Sequence, residues 1–409
     1  MPAQYCEQTM NYQAEKVSRI KASPSMAVSQ AAKEMIRQGT PVIDLSLGEP
    51  DFNTPENIIN AAIDGMRDGM TRYTVSAGIP ELKQAIIGKL ARDNGLSYRP
   101  EEITVANGAK QIIFNALMGT LEEGDEVILL APYFVSYPDL VKLHGGTVRV
   151  VKCAADNDFR PTRADLEAAI NENTRWIILN TPSNPSGAVL GLEDLKMIGD
   201  VVSRYPRLLV MSDEIYDRIV FDDREFISFG QACPQLFDRT LIVNGVSKSY
   251  AMTGWRIGYA AGPAGLIQVM NKLQSQCTTN ACSISQIAST EAISGHQGFV
   301  ERCCKRYQQR RDLMLEGLST IPGLKAFSPE GAFYLFVDCS GLLGKTSPQG
   351  NTLNNDTDVA TYFLKEGHVA CVPGAAYGLE PFVRFSFATS EEELTKAVNQ
   401  LAAAVERLQ

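Results

Sequence analysis

The sequence predicts an α/β protein: a mostly parallel sheet covered by helices on both faces, joined to a smaller α+β domain. Three observations carry this. From Ile103 to Ala261, apolar strand-like runs alternate with helix-like stretches, the pattern of a parallel sheet with crossover helices. The last third has another texture, with one long helical stretch followed by separated strand-like runs. A chain of 409 residues can hold one large core or two domains.

The elements follow in order. Ile103-Thr104-Val105 reads as a strand that leads through Asn107-Gly108-Ala109-Lys110 into a helix from Gln111 to Thr120. Further strand-like runs are Glu126 to Leu130, Thr147 to Val151, Trp176 to Leu179, Leu208 to Met211, Leu241 to Val243 and Ile257 to Ala261. Helical patterns span Arg163 to Ile170 and Leu192 to Ser203. Phe299 to Thr320 reads as a long helix, Ala332 to Val337 and Phe382 to Phe387 as strands, and Glu391 to Leu408 as a closing amphipathic helix. Ser340 to Thr357 is rich in Gly, Ser, Asn and Thr and reads as a surface excursion. The predicted division is a large domain over 50–300, and a small domain of 1–49 together with 301–409.

Composition excludes several classes. The formal net charge is -9 with no basic run, which argues against a nucleic-acid partner. No apolar stretch approaches the roughly 20 residues of a membrane span. Met1 to Ile20 is polar and mixed in charge, without the apolar centre of a signal peptide. The nine cysteines are an odd number at irregular spacing, with no Cys-x-x-Cys. Reduced thiols and a cytoplasmic location are the expectation. Three histidines, His144, His296 and His368, lie far apart. They offer little material for a metal site or a Ser-His-Asp triad, so no metal is expected.

Chemistry in such sheets gathers in loops at the carboxyl ends of strands, and the candidate residues sit there. Lys248 lies between Ser247 and Ser249, just after Leu241-Ile242-Val243, and Arg256 follows eight residues later. A lysine amine forms a Schiff base with a carbonyl only when deprotonated, and burial near another cation favours that state. Ser247 and Arg256 can bind a phosphate, the arginine through a planar fork of donors. A phosphate together with a Schiff-base lysine points to pyridoxal phosphate. The plain alternative is a surface lysine beside a turn.

Ser212-Asp213-Glu214-Ile215-Tyr216 ends another strand. An electron-sink ring needs its nitrogen protonated, and a strand-end carboxylate such as Asp213 would hold that proton. Tyr216, three residues on, is placed to bond a phenolate oxygen. The alternative for Asp213 is a helix cap. Asn180-Thr181-Pro182-Ser183-Asn184-Pro185-Ser186-Gly187 is a tight loop. The Asn184 amide can serve a carboxylate and the cofactor oxygen there, although the loop alone is only a turn. Gly108-Ala109-Lys110 opens a helix whose backbone N–H groups suit a phosphate. Arg384 stands inside the apolar pattern Phe382-Val383-Arg384-Phe385-Ser386-Phe387. An unpaired charge there is costly, and a substrate carboxylate is a natural partner, with a structural salt bridge as the alternative.

Together these strings resemble the class I pyridoxal-phosphate-dependent aminotransferases of fold type I, nearest to the bacterial aspartate and prephenate subgroup. The resemblance runs from about Ser18 to the C-terminus. It includes Leu47-Gly48-Glu49-Pro50-Asp51-Phe52, Tyr73 with Ala77-Gly78-Ile79-Pro80-Glu81-Leu82, and Gly331-Ala332-Phe333-Tyr334. It implies a seven-stranded sheet and a set of roles. Lys248 would hold the cofactor aldehyde and then shuttle the α proton. Asp213 would bind the ring nitrogen, and Asn184 and Tyr216 the phenolate oxygen. Ser247, Arg256 and the Gly108, Ala109 and Lys110 backbone would bind the phosphate. Arg384, Asn184 and the Gly48 backbone would take the substrate α-carboxylate. Lys21 and Lys110 match lysines linked to dicarboxylic substrates. Tyr73 would reach the partner subunit's phosphate, so the resemblance implies a homodimer with shared sites.

The chain departs from the subgroup at Phe134, where tryptophan is usual, and mildly at Ala281, where proline is common. In the subgroup that tryptophan stacks on the cofactor and donates its ring N–H to the distal carboxylate of aspartate. Phenylalanine keeps the stacking and loses the donor, a loss of about 1.5–3 kcal/mol for a bond to a charged group.

The expected activity is a ping-pong transfer from an L-amino acid, aspartate first, to a 2-oxo acid such as 2-oxoglutarate. An aromatic or prephenate/arogenate specificity and a β-lyase of the same fold are the alternatives. Gly344-Lys345-Thr346 mimics the end of a phosphate loop, but Cys339 stands where that pattern needs glycine. No Gly-x-Gly-x-x-Gly follows a strand, which removes the dinucleotide reading. A regulator of the same fold would be expected to carry a DNA-binding domain ahead of it, and only about 20 residues precede the fold here.

Overall fold

The computed structural model describes residues 12–21 and 24–409. The remaining residues of the expected N-terminal part of the small domain, 1–11 and 22–23, lie outside the described residues, as does part of the polar start Met1 to Ile20.

A short strand, β1 (Ile43–Asp44), precedes the main sheet. That sheet has seven strands: β2 (Ile103–Ala106), β3 (Glu126–Ala131), β4 (Thr147–Lys152), β5 (Thr174–Asn180), β6 (Leu209–Asp213), β7 (Thr240–Gly245) and β8 (Gly258–Ala261). Their order is β2-β8-β7-β6-β5-β3-β4. The pairings β3–β4, β3–β5, β5–β6 and β6–β7 are parallel, whereas β8 runs antiparallel to both β2 and β7. The inner strands are buried along their length, as expected for a sheet covered on both faces. The expected strand and helix positions agree to within a few residues, with helices at Ala109–Thr120, Arg163–Ala169 and Leu192–Ser203.

Parallel β5, β6 and β7 bring their carboxyl ends to one edge. Asn180 is paired with Asp213 across β5 and β6, and Asp213 with Val243 across β6 and β7. At the adjacent corner, a Cβ on Gly258 would collide with the Gly108–Ala109 backbone. Glycine there lets β8 approach the start of the helix Ala109–Thr120.

The C-terminal third builds a second sheet from β9 (Lys325–Ala326), β10 (Tyr334–Asp338), β12 (Val372–Pro373) and β13 (Phe382–Ser386), in the order β12-β13-β10-β9. β11 (Val369–Ala370) pairs in parallel with β1. That pairing ties the N-terminal segment to this body. The helices Gly298–Ser319 and Glu391–Glu406 cover it. Its core joins Leu45, Tyr307, Phe333, Phe363 and Leu401. Ile215, Tyr216, Ile219 and Phe221, which follow β6, pack into the same core, so the segment after Asp213 binds the two bodies together.

The expected excursion, Ser340 to Thr357, is more firmly held than its composition predicts. Leu342 and Leu353 are buried. The Gly344 N–H donates to the Leu353 carbonyl at 2.9 Å, and Thr346 exchanges backbone bonds with Gln409 at 2.8 and 3.0 Å. The two leucines, these backbone bonds and buried Asp356, whose Oδ2 accepts from the Ala375 N–H at 3.1 Å, anchor it. Among the described residues, no helix is long and apolar enough to cross a membrane.

Candidate active site

A cavity of about 450 Å³ opens at the carboxyl edge of the main sheet. Lys248 reaches it from the loop after β7. Its Nζ donates to the Gly48 carbonyl at 2.5 Å, and lies 5.9 Å from the Tyr216 ring and 5.8 Å from the Phe333 ring. Burial lowers its pKa to about 8; Glu49 opposes that shift, while Arg384 and Arg256 add to it. A larger share of neutral amine is thereby present near neutral pH, as carbonyl capture requires.

Asp213 closes β6 and lines the same cavity. Its Oδ2 accepts from the Tyr137 hydroxyl at 2.6 Å, and its Oδ1 from the Ile215 N–H at 3.3 Å. Burial pushes the carboxyl up to about 6, against the pull of those bonds. Tyr216 is buried, its hydroxyl 2.8 Å from that of Tyr334. Burial holds its pKa well above the usual phenol value.

Asn184 and Arg384 come from different bodies and meet at the cavity. The Asn184 loop is held by the Asn184 N–H donating to Asn180 Oδ1 at 2.8 Å and the Gly331 N–H donating to the Gly187 carbonyl at 2.9 Å. Arg384 is only 3% exposed. Its Nη1 donates to Asn184 Oδ1 at 3.0 Å, and its Nη2 to the Ser46 carbonyl. Both acceptors are neutral, and Nε has no hydrogen-bond partner among the described residues. A buried guanidinium so placed is a ready receptor for a carboxylate.

The third side is cationic. Gly108 (φ 86) sits ahead of the helix Ala109–Thr120, and a Cβ there would strike the Arg256 guanidinium. Arg256 Nη1 donates to the Thr253 carbonyl at 2.9 Å and Nη2 to the Asn107 carbonyl at 3.4 Å. Ser247, Ala109 and Lys110 line the cavity. Lys110 Nζ lies 5.3 Å from the Phe134 ring. Burial, then Arg256, lower its pKa.

Of the residues singled out from sequence, the fold brings Gly48, Ala109, Lys110, Phe134, Asn184, Asp213, Tyr216, Ser247, Lys248, Arg256 and Arg384 to one cavity, with Gly108 behind Arg256. Tyr73 and Lys21 are not among its lining residues. Tyr73 is 88% exposed, and Lys21 is exposed as well. Sequence reasoning assigned no role to Tyr137 or Tyr334. Tyr137 begins the helix Tyr137–Leu143, and its N–H donates to the Phe134 carbonyl at 3.0 Å. Tyr334 is paired with Ser386, two residues from Arg384 on the same sheet face. Both signals needed the fold to be read.

The donor set fits pyridoxal phosphate. The Ala109 helix start, Ser247 and Arg256 suit its phosphate, Asp213 its ring nitrogen, and Lys248 its aldehyde. Arg384 Nε, without a hydrogen-bond partner among the described residues, suits an anion beside it.

Comparison with known proteins agrees. The family model for aminotransferase class I and II matches residues 40–401. The chain is 49% identical over 395 residues to the aspartate aminotransferase of Rhizobium meliloti (strain 1021), covering 97% of this chain and 96% of the relative. It is 48% identical over 394 residues to the aspartate/prephenate aminotransferase of Cereibacter sphaeroides, covering 96% and 98%. The crystal structure of the Rhizobium meliloti aspartate aminotransferase superposes with a TM-score of 0.95 at 49% identity, covering 98% of this chain and 100% of that one. A matched family model over most of the chain, near-half identity and a cavity built for its cofactor make one conclusion: the chain belongs to the class I and II aminotransferases and is a pyridoxal-phosphate-dependent transaminase.

Proposed function

We propose that the protein transfers the amino group of L-aspartate to a 2-oxo acid such as 2-oxoglutarate by a ping-pong mechanism. The observation that carries amino-acid transamination is Arg384: a buried guanidinium whose Nε has no hydrogen-bond partner among the described residues, on the same cavity as Lys248 and Asp213. The names of the relatives support aspartate as donor.

When bound, pyridoxal phosphate supplies a ring that takes up the electron pair released at the substrate α carbon. Asp213 holds the proton on the ring nitrogen. Tyr216 and the Asn184 amide bond the ring oxygen. Ser247, Arg256 and the Gly108, Ala109 and Lys110 segment anchor the phosphate. Arg384, with Asn184 and the Gly48 backbone, would orient the α-carboxylate, and Phe134 would offer its ring face to the cofactor. Lys248 Nζ accepts the α proton and returns it, a task for which its lowered pKa suits it.

Lys21 and Lys110 serve the distal carboxylate in this reading. The chain works as a large domain, 50–300, and a small one of 1–49 with 301–409. It acts in the cytoplasm as a homodimer. Exposed Met66, Met70, Tyr73 and Val75 lie on one stretch of chain, which supports a partner surface there that carries Tyr73 to the second site.

A second reading, an aromatic or prephenate-type substrate, is favoured by Phe134, which offers no N–H to a distal carboxylate, and by the names of several relatives, which pair aspartate with prephenate. An absorbance titration of the holoenzyme with L-aspartate and then L-phenylalanine separates an aspartate donor from an aromatic one. Loss of the visible cofactor band with aspartate is the expected result. Loss only with phenylalanine would replace aspartate as donor.

A further inference from the structure

We propose that Tyr334 is a positioning residue that couples the two halves of the site: its hydroxyl orders Tyr216, and its ring holds the Arg384 guanidinium. This rests on the roles given above for Tyr216 and Arg384.

Three contacts meet on this fully buried side chain. Its hydroxyl lies 2.8 Å from the Tyr216 hydroxyl. Its ring centre lies 4.5 Å from the Arg384 guanidinium carbon. Its hydroxyl also packs against Gly48, where a Cβ would come within 2.5 Å of it, and the Gly48 carbonyl is the acceptor for Lys248 Nζ. A larger residue at position 48 would therefore push Tyr334 off both partners.

The hydroxyl contact has a direction. A phenol donates one hydrogen. If Tyr216 donates toward the cofactor oxygen, Tyr334 must donate to Tyr216, and such a chain strengthens the outer donor. The ring contact has its own reason. Arg384 has only neutral hydrogen-bond acceptors among the described residues. The negative face of an aromatic ring steadies a desolvated guanidinium without consuming the N–H groups meant for a carboxylate.

Two substitutions separate these functions. Tyr334→Phe keeps the ring and removes the hydroxyl. Negative charge on the cofactor oxygen is least compensated after the lysine-derived nitrogen loses its proton. Weaker donation therefore keeps that proton on longer. The pH midpoint of the visible cofactor band should rise by about one unit, with 2-methylaspartate binding weakened much less than when the ring is lost. That probe lacks an α proton, so it reports binding without turnover. Tyr334→Leu removes the ring as well, and should weaken 2-methylaspartate binding about tenfold on top of the same midpoint shift. Tyr334→Met reads the same effect if the leucine variant does not fold.

A purely structural tyrosine would lower Tm in these variants and move neither readout. An unmoved midpoint in Tyr334→Phe, or wild-type affinity in Tyr334→Leu or Tyr334→Met, overturns the inference. Absence of a visible band in wild type with added pyridoxal phosphate overturns the parent reading instead, so the two failures are distinguishable.

Discussion

Asp213 and Glu214 are neighbours in sequence, and both are buried carboxyls. Burial pushes Asp213 up to about 6 and Glu214 up to about 7. Yet they face opposite sides of the main sheet. Asp213 points into the cavity, toward Tyr137 and Lys248. Glu214 points away, and its Oε1 accepts from the Ser212 and Ser228 hydroxyls at 2.8 Å each and from the Phe229 N–H at 3.2 Å. Behind it the buried Lys89–Asp217 pair completes a polar cluster. A raised pKa therefore belongs as much to the residue outside the cavity as to the one inside it. A perturbed carboxyl is a weak marker of function; the alternation of a strand end and the cavity beside it decide which of the two does chemistry.

Four measurements break or sharpen this contrast. The largest effect should be on the cavity side. Lys248→Ala should lower kcat by about four decades, the upper range for loss of a general acid–base group. Near-normal turnover in that variant would remove the cavity from the mechanism. The neighbours come next. Asp213→Asn should lower kcat by about two to three decades, while Glu214→Gln leaves kcat/KM at the wild-type level. Equal losses in steady-state assays of both would erase the distinction drawn here.

The third concerns pH. Glu214 has a folded-state pKa raised from 4.5 to about 7. The stability it contributes is fully present below pH 4.5 and is lost as pH rises through 7. Wild type should therefore fall relative to Glu214→Gln by about 2 kcal/mol across that window, read from denaturation at pH 5 and pH 7.5. A constant gap would mean that Glu214 is as ionised in the folded protein as in the unfolded chain across that window. The smallest effect belongs to the cavity rim. Phe134→Trp restores an indole donor, and should raise the preference for aspartate over phenylalanine about tenfold. An unchanged ratio of kcat/KM would place residue 134 out of reach of the distal group.

Much of the site could be read from the chain because its parts sit at strand ends, where apolar runs stop and polar residues begin. Lys248, Asp213 and Asn184 are such residues. Arg384 was legible for the opposite reason, as a charge inside an apolar strand. Tyr137 and Tyr334 were not, because an aromatic in an apolar stretch looks like core until its hydroxyl partner is known. The anchored stretch Ser340 to Thr357 escaped for a related reason: Leu342 and Leu353 are two residues in a polar background, and local composition outweighs them. Tyr73 and Lys21 are named by resemblance alone, since their exposure in a single chain assigns them no partner.

Alternation of apolar runs with amphipathic helices was enough to specify the α/β class, the seven strands of the main sheet and the edge at which polar residues collect, because backbone hydrogen bonding and burial act on local pattern. The antiparallel placement of β8, the packing of Ile215 to Phe221 against the C-terminal body, and the meeting of Arg384 with Asn184 and Tyr334 required the tertiary structure. Those contacts join residues up to 200 positions apart. Nothing local specifies them; they exist because two sheets bury their apolar faces against a shared segment and so bring their edges together.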